Sequence, residues 1–287
     1  MAEDRVSTNS AGSIPTQAQV VIIGGGVIGC SVAYHLTKLG WKDIVLLERK
    51  QLTSGTTWHA AGLVVTPGSS EVGVEFSTYT RELLKTLEEE TGQSTGFNPI
   101  GYLQLACTPD WLIERRRMAV VARNFGVNVE EISAAEVNNL SPLADSSDII
   151  AGFYVAEDGR ADPVDMTMAL AKGARMGGAR VYEETEVIGI NKRDGVVTGV
   201  LTDKGEIEAE IVVNCTGMWA RQLGKVAGVN IPLQAAEHYY LITEPIDGVD
   251  SDLPIIEDFG RYSYFREEMG GLLIGFFEPI AAPWRVN

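Results

Sequence analysis

Histidine and cysteine are scarce in this 287-residue chain, at three each. Cys30, Cys107 and Cys215 lie far apart in apolar surroundings, so no metal-ligand spacing is present and three thiols cannot all pair. They read as buried free thiols of a reducing compartment, and the chain is assigned to the cytoplasm. Basic residues are also short, 23 Lys and Arg against 39 Asp and Glu, for a net charge of −16. That balance argues against nucleic acid or an anionic membrane as the main partner. A clean apolar run of about 18 residues is missing as well, because glycines interrupt the Ala18–Tyr34 segment. Residues 1–17 lack an apolar h-region and carry Glu3 and Asp4 beside Arg5. They fit neither a secretory signal nor a mitochondrial presequence and read as a flexible lead-in.

What is present centres on Gln19 to Leu63. The run Val20-Val21-Ile22-Ile23 predicts a strand buried on both faces. Gly24, Gly26 and Gly29 follow at the G-x-G-x-x-G spacing and lead into a helix that Gly40 ends. A second apolar strand then finishes at Glu48. Gly24 permits the tight turn, Gly26 lets backbone approach a pyrophosphate, and Gly29 lets helix and strand pack closely. The helix N-terminus offers N–H groups to phosphates, and Glu48 can accept hydrogen bonds from an adenosine ribose. Strand, glycines, helix, strand and acid in register predict a dinucleotide site. After Glu48 comes a long loop rich in hydroxyls and glycine, Leu52 to Leu63, suited to wrapping a longer cofactor.

Further along, Val72, Phe76, Tyr79, Leu83 and Leu87 form a helical stripe over residues 71–90. Gly101 to Cys107 predicts a strand, and Thr108-Pro109 starts a helix that Gly126 closes. On that helix the Arg115-Arg116-Arg117 run reads as a solvated face rather than a phosphate patch. Ser133 with Glu136 predicts a capping box. Ile149 to Ala156 predicts a strand, and Asp162-Pro163 opens a helix ending near Gly177. From Glu186 a β-meander turns at Asp194-Gly195 and again at residues 203–205. Ile211 to Cys215 reads as a buried strand, followed by a helix from Trp219 to Ala227. Gln234–Thr243, Arg261–Arg266 and Gly271–Phe277 predict antiparallel strands. His35, inside the first helix, reads as packed.

The stretch Ser54-Gly55-Thr56-Thr57-Trp58-His59-Ala60-Ala61-Gly62-Leu63 resembles the flavoprotein part of the sarcosine and dimethylglycine dehydrogenase family. Leu87 to Gly92, Val212 to Gly217 with Trp219, and Glu278-Pro279 with Pro283-Trp284 are similar too. The resemblance runs from about Gln19 to Trp284. It implies FAD as cofactor, joined covalently through His59 to the flavin 8α-methyl carbon. It also implies FAD contacts from Gly24, Gly26, Val27, Ile28, Gly29, Glu48 and Arg49. Gly55, Thr56, Thr57, Trp58, Gly62, Leu63, Val187 and Trp219 are implied as well. His238 and Tyr264 match positions lining the relatives' substrate cavity. The implied reaction is oxidation of the N-methyl group of a small N-methylated amino acid, sarcosine or dimethylglycine. An electron-transfer flavoprotein or oxygen would be the acceptor.

The expected architecture is α/β. A discontinuous Rossmann-like FAD-binding domain with a β-meander (residues 18–100 and 157–230) accompanies an antiparallel-sheet substrate domain (residues 101–156 and 231–287). The chain stops just past an apparent strand and reads as C-terminally truncated, and folate would bind only through a C-terminal domain that lies beyond it. Two other readings stand beside the enzyme. One is a non-catalytic regulatory subunit resembling that of pyruvate dehydrogenase phosphatase, to which Ser31–Glu48 is very similar. The other is an NAD-dependent dehydrogenase. The Trp58-His59-Ala60 trio favours the flavin enzyme over the first, and the long loop after Glu48 together with the meander disfavours the second.

Overall fold

The computed structural model describes residues 13–66 and 70–286. In chain order the elements begin with β1 (Gln17–Ile23), α1 (Val27–Lys38), β2 (Ile44–Leu47), β3 (Leu63–Val64), α2 (Glu71–Thr91) and β4 (Tyr102–Ala106). Next come α3 (Pro109–Asn124), β5 (Glu130–Ile132), α4 (Ala134–Leu140), β6 (Ala151–Val155), β7 (Gly159–Arg160) and α5 (Pro163–Met176). Strands β8 (Arg180–Tyr182), β9 (Val187–Arg193), β10 (Val196–Thr202) and β11 (Gly205–Asn214) precede α6 (Ala220–Ala227). The last are β12 (Tyr240–Ile242), β13 (Ile255–Asp258), β14 (Ser263–Glu268) and β15 (Gly271–Phe276).

The chain forms two compact units, Met1–Thr56 with Leu170–Leu233, and Thr57–Ala169 with Gln234–Asn287. Residues 57–100 and 157–169, expected from sequence on the nucleotide side, cluster with the second unit. The physical reason is strand pairing: β3 pairs with β7, and the residues around them pack on the second unit's sheet.

The first unit is built on a six-stranded sheet in the order β8-β2-β1-β11-β10-β9. β1 is parallel to both β2 and β11, and its Val20 to Ile23 are buried, as the unbroken apolar run requires. The meander and the strand expected at Ile211–Cys215 prove to be continuous. β11 runs antiparallel to β10 through Gly205–Glu208 and parallel to β1 as far as Asn214. One ten-residue strand thus welds meander to parallel core. The lead-in lies outside the described residues as far as residue 12, but Ile14 packs with Val21, Val200 and Ile207, so its last part belongs to the fold.

The second unit carries a seven-stranded sheet in the order β12-β15-β14-β13-β4-β6-β5. Every join is antiparallel except that between β13 and β4, which is parallel. β12 is far shorter than the strand expected over Gln234–Thr243. Residues 235–237 instead run beside Ala282–Trp284 with a single bridge from Ala236 to Pro283, where proline has no N–H to extend a ladder.

Three expectations about side chains are corrected. On α2, Val72, Phe76 and Tyr79 are exposed, and the buried side is Val74, Arg81, Leu84, Leu87 and Thr91. Arg81 turns that side inward, because its Nη1 donates at 2.9 Å to the buried Asp158. Arg115 does not lie on a solvated face. It is buried, with its guanidinium carbon 4.1 Å from the Phe259 ring centroid, while Arg116 and Arg117 stay exposed and pair with Glu131 and Glu114. Of the three free cysteines only Cys30 is fully buried; Cys107 and Cys215 are half-buried. Burial pushes the Cys30 thiol up to about 12 and raises the other two, so all three stay protonated and weakly nucleophilic. The helix signals hold: Thr108 caps α3, Asp162 Oδ1 accepts from the Val164 and Asp165 amides at the start of α5, and Ser133 with Glu136 closes a capping box on α4.

Candidate cofactor and substrate site

In the first unit β1 ends in a glycine turn whose geometry only glycine fits. Gly24 has φ +110°, and a Cβ there would lie 2.4 Å from the Cys215 carbonyl oxygen. A Cβ on Gly29 would lie 1.8 Å from the Gly24 oxygen, so helix and turn meet backbone to backbone. Gly26 is the N-cap of α1 with no side-chain cap, and no acidic residue stands in the first turn. That end of the helix is therefore suited to an anion. Val27 is half-buried and Ile28 exposed in the same turn.

Glu48, half-buried just past β2, accepts the Gly25 N–H on Oε2 at 2.7 Å and the Lys50 N–H on Oε1 at 2.9 Å. Each carboxylate oxygen keeps a second lone pair, enough to receive a ribose diol. Gly25 is a site residue the sequence reading passed over. A Cβ there would meet Glu48 Cβ at 2.8 Å and Leu52 Cδ2 at 2.6 Å. Its signal was the unbroken Gly24-Gly25-Gly26 run, of which the spacing pattern uses only the outer two.

Three expected residues meet beside this turn. The Arg49 guanidinium carbon lies 4.2 Å from the Trp219 ring centroid, and the Gly55 α-carbon approaches the same ring so closely that a Cβ would touch Cζ3 at 3.5 Å. Thr56 is exposed at the end of this segment. Val187 opens β9 and packs in the cluster of Val21, Val200 and Ile207, which makes it a core residue first. The first unit's residues thus fit a dinucleotide: a close-approach glycine turn, an uncapped helix start and an oriented acid. An open surface depression lined by Gln19, Leu39, Gly40, Trp41 and Lys42 lies at the other end of α1 and contributes nothing to this geometry.

In the second unit Thr57–His59 makes one 3₁₀ turn, closed by the Ala60 N–H to the Thr57 oxygen at 3.1 Å. Trp58 and His59 are both exposed, their rings 3.8 Å apart and tilted by 34°. The Gly62 oxygen then accepts the Ala161 N–H at 2.8 Å, and Leu63 packs beside Ile100, Tyr102 and Ile255.

In the second unit, Tyr264 on β14 is buried and His238, two residues before β12, is exposed. Phe277 joins them, with its centroid 5.3 Å from Tyr264 and 6.0 Å from His238 in a stacked arrangement. Tyr264 faces Gly275 across the β14–β15 pair, where a Cβ would collide with the phenol ring at 1.9 Å. Burial raises the Tyr264 hydroxyl above its ordinary value, so it stays a donor at neutral pH. His238 Nδ1 lies 2.9 Å from Glu278 Oε2, and that hydrogen bond lowers the Glu278 carboxyl. Phe277 and Glu278 were not expected site residues, although Glu278-Pro279 carried part of the resemblance. His35 bonds Ser31 within α1, half-buried and remote in sequence from this cluster.

The sequence matches the FAD dependent oxidoreductase family over residues 19–286. Among curated proteins it is 42% identical to the mitochondrial pyruvate dehydrogenase phosphatase regulatory subunit of Mus musculus, over 98% of this chain and 33% of that protein. It is 41% identical to the mitochondrial sarcosine dehydrogenase of Homo sapiens, over 94% of this chain and 30% of that protein. The chain thus spans about a third of the length of these curated relatives. Its fold superposes on the crystal structure of L-proline dehydrogenase from P. horikoshii with a TM-score of 0.84 and 32% identity, covering 91% of this chain and 70% of that one. Among the described residues no helix is long and apolar enough to cross a membrane.

Proposed function

The chain belongs to the FAD-dependent oxidoreductase family, and from that premise we propose that it serves oxidation of an N-methyl C–H bond in a small N-methylated amino acid. Sarcosine and dimethylglycine are the substrate class, supported by the 41% identity to a sarcosine dehydrogenase. The observation that carries the cofactor half is Glu48, its carboxylate steered by the Gly25 N–H beside the glycine turn. In this reading Gly24, Gly26, Gly29, Val27 and Ile28 receive the pyrophosphate, Glu48 the ribose, and Arg49, Gly55, Thr56, Val187 and Trp219 the remainder of the adenosine half. Thr57, Trp58, Gly62 and Leu63 shape the loop that presents His59, the residue that would hold FAD covalently through its 8α carbon. Bound FAD supplies a two-electron acceptor at N5.

The residues of the second unit do the rest. Oxidation of an amine needs its nitrogen neutral, so that the lone pair can stabilise the iminium as the C–H bond breaks. In this proposal His238, hydrogen-bonded to Glu278, takes the ammonium proton, and the Tyr264 hydroxyl donates a hydrogen bond that orients the substrate carboxylate. Oxygen or an electron-transfer flavoprotein reoxidises the enzyme, and folate engages only through a domain outside this chain. A cytoplasmic site of action belongs to the same proposal and rests on the three unpaired thiols.

A second reading has its own support in the 42% identity to a phosphatase regulatory subunit. Two measurements separate them. After acid precipitation, wild-type protein is expected to give a yellow pellet and His59→Ala a colourless one; a yellow His59→Ala pellet moves the link to another residue. Anaerobic addition of sarcosine or dimethylglycine is expected to bleach the flavin. Flavin that stays oxidised with both amines supports the regulator.

A further inference from the structure

The geometry points to Arg266 as the residue that positions the Trp58–His59 turn. Arg266 sits in β14, two residues from Tyr264, and is only 8% exposed. Its Nε donates to the Ala61 carbonyl oxygen at 2.7 Å, two residues beyond His59. Its Nη1 donates to the Glu267 oxygen at 2.8 Å and pairs with Glu268. A buried guanidinium carries a heavy desolvation cost, and here it directs one N–H at a loop carbonyl while its other bonds lie within its own strand. Arg160 reinforces the arrangement from β7. It contacts Glu267 through both the backbone oxygen at 3.1 Å and the carboxylate at 2.8 Å, while its backbone pairs with Leu63.

The exit of the turn is therefore fixed at successive residues: Ala61 by Arg266, Gly62 by the Ala161 N–H, and Leu63 by β7. Only the first of these bonds comes from a side chain, and it starts on the strand that bears Tyr264. The turn carries a backbone bond from the Ala60 N–H to the Thr57 oxygen, and both of its rings are exposed. Arg266 adds a buried side-chain anchor just past these exposed rings. It ties the His59 loop to the strand proposed to orient substrate, and any chemistry at His59 depends on where that tie holds it. The inference rests on the flavin role proposed for His59, and its test is arranged so that the two fail separately.

The test uses the 287-residue chain as wild type, Arg266→Gln and Arg266→Lys. Hydrogen exchange of flavin-free protein is followed in peptides covering residues 57–63 and, as a control, β4, β6 and β14. Loss of a charge-assisted hydrogen bond predicts exchange about tenfold faster or more in 57–63 for Arg266→Gln, with the sheet peptides unchanged. Arg266→Lys is expected to restore much of the protection, since an ammonium can donate to the Ala61 oxygen. On adding FAD, Arg266→Gln should bind it but attach it covalently about tenfold more slowly or worse. Unchanged exchange in 57–63 overturns the inference. So does exchange that rises equally through the sheet, or an Arg266→Lys protein no better than Arg266→Gln, since either makes the residue merely structural. A wild-type protein without covalent flavin refutes the His59 linkage, while the exchange arm still decides Arg266.

Discussion

Two carboxylates illustrate how much a single side chain's surroundings decide. Glu48 is met by two backbone N–H groups and retains acceptor capacity. Glu48→Ala should weaken FAD binding about tenfold to a hundredfold, the worth of hydrogen bonds to a charged group, as read by fluorescence titration of flavin-free protein. Unchanged affinity would remove Glu48 from the ribose. Glu257 lies on β13 between β4 and β14, hydrogen-bonded by the Tyr102 hydroxyl, which also accepts from Gln104 Nε2 at 3.0 Å. Burial raises its carboxyl from an ordinary value of 4.5 to about 7. The folded state therefore holds this proton more tightly than the unfolded chain does. Its contribution to stability is full below the ordinary value and is lost as pH climbs to about 7. Glu257→Gln should gain about 3 kcal/mol on wild type between pH 4.5 and 8 in urea unfolding. A pH-independent difference would show the carboxylate to be well solvated.

Among the elements, α2 shows most clearly where pattern and burial part. Its Val72, Phe76 and Tyr79 have helical spacing, yet the buried side is organised by Arg81, which binds Asp158 at 2.9 Å and Glu157 at 3.0 Å. Asp158 in turn accepts from the Thr66 amide and hydroxyl, at 2.5 and 3.0 Å. Burial raises the Asp158 carboxyl, and the Thr66 and Arg81 contacts pull it back. Removing one member strands a buried charge, so Arg81→Leu should cost about 3–5 kcal/mol of unfolding free energy. A loss under about 1 kcal/mol would mean water reaches Asp158. β-Strands were legible where apolar residues run on, as in β1 and β2. They were missed where strands are short or acidic: β5, β8, and β13 with Glu257 and Asp258 side by side. Arg115 was misjudged for a related reason. Nothing in three consecutive arginines reveals that one will stack on Phe259.

For the molecule as a whole, cofactor and fold are thermodynamically linked. A ligand that binds only the folded state adds about 2.7 kcal/mol when its concentration is a hundred times Kd. FAD at that excess should raise urea-unfolding free energy by this amount, and NAD at equal concentration should not. An equal gain from NAD would favour a nicotinamide site. The sequence by itself determined the glycine turn, the meander and the helix caps, because glycine spacing, apolar runs and capping residues act over a few neighbours. Only the tertiary structure decided that Gly25 steers Glu48, that Phe277 joins Tyr264 to His238, and that Arg266 reaches Ala61. In all three cases the partners lie between 13 and 205 positions apart at the extremes, from Tyr264 with Phe277 to Ala61 with Arg266. Contacts of that range are set by strand order and register, which no local pattern encodes.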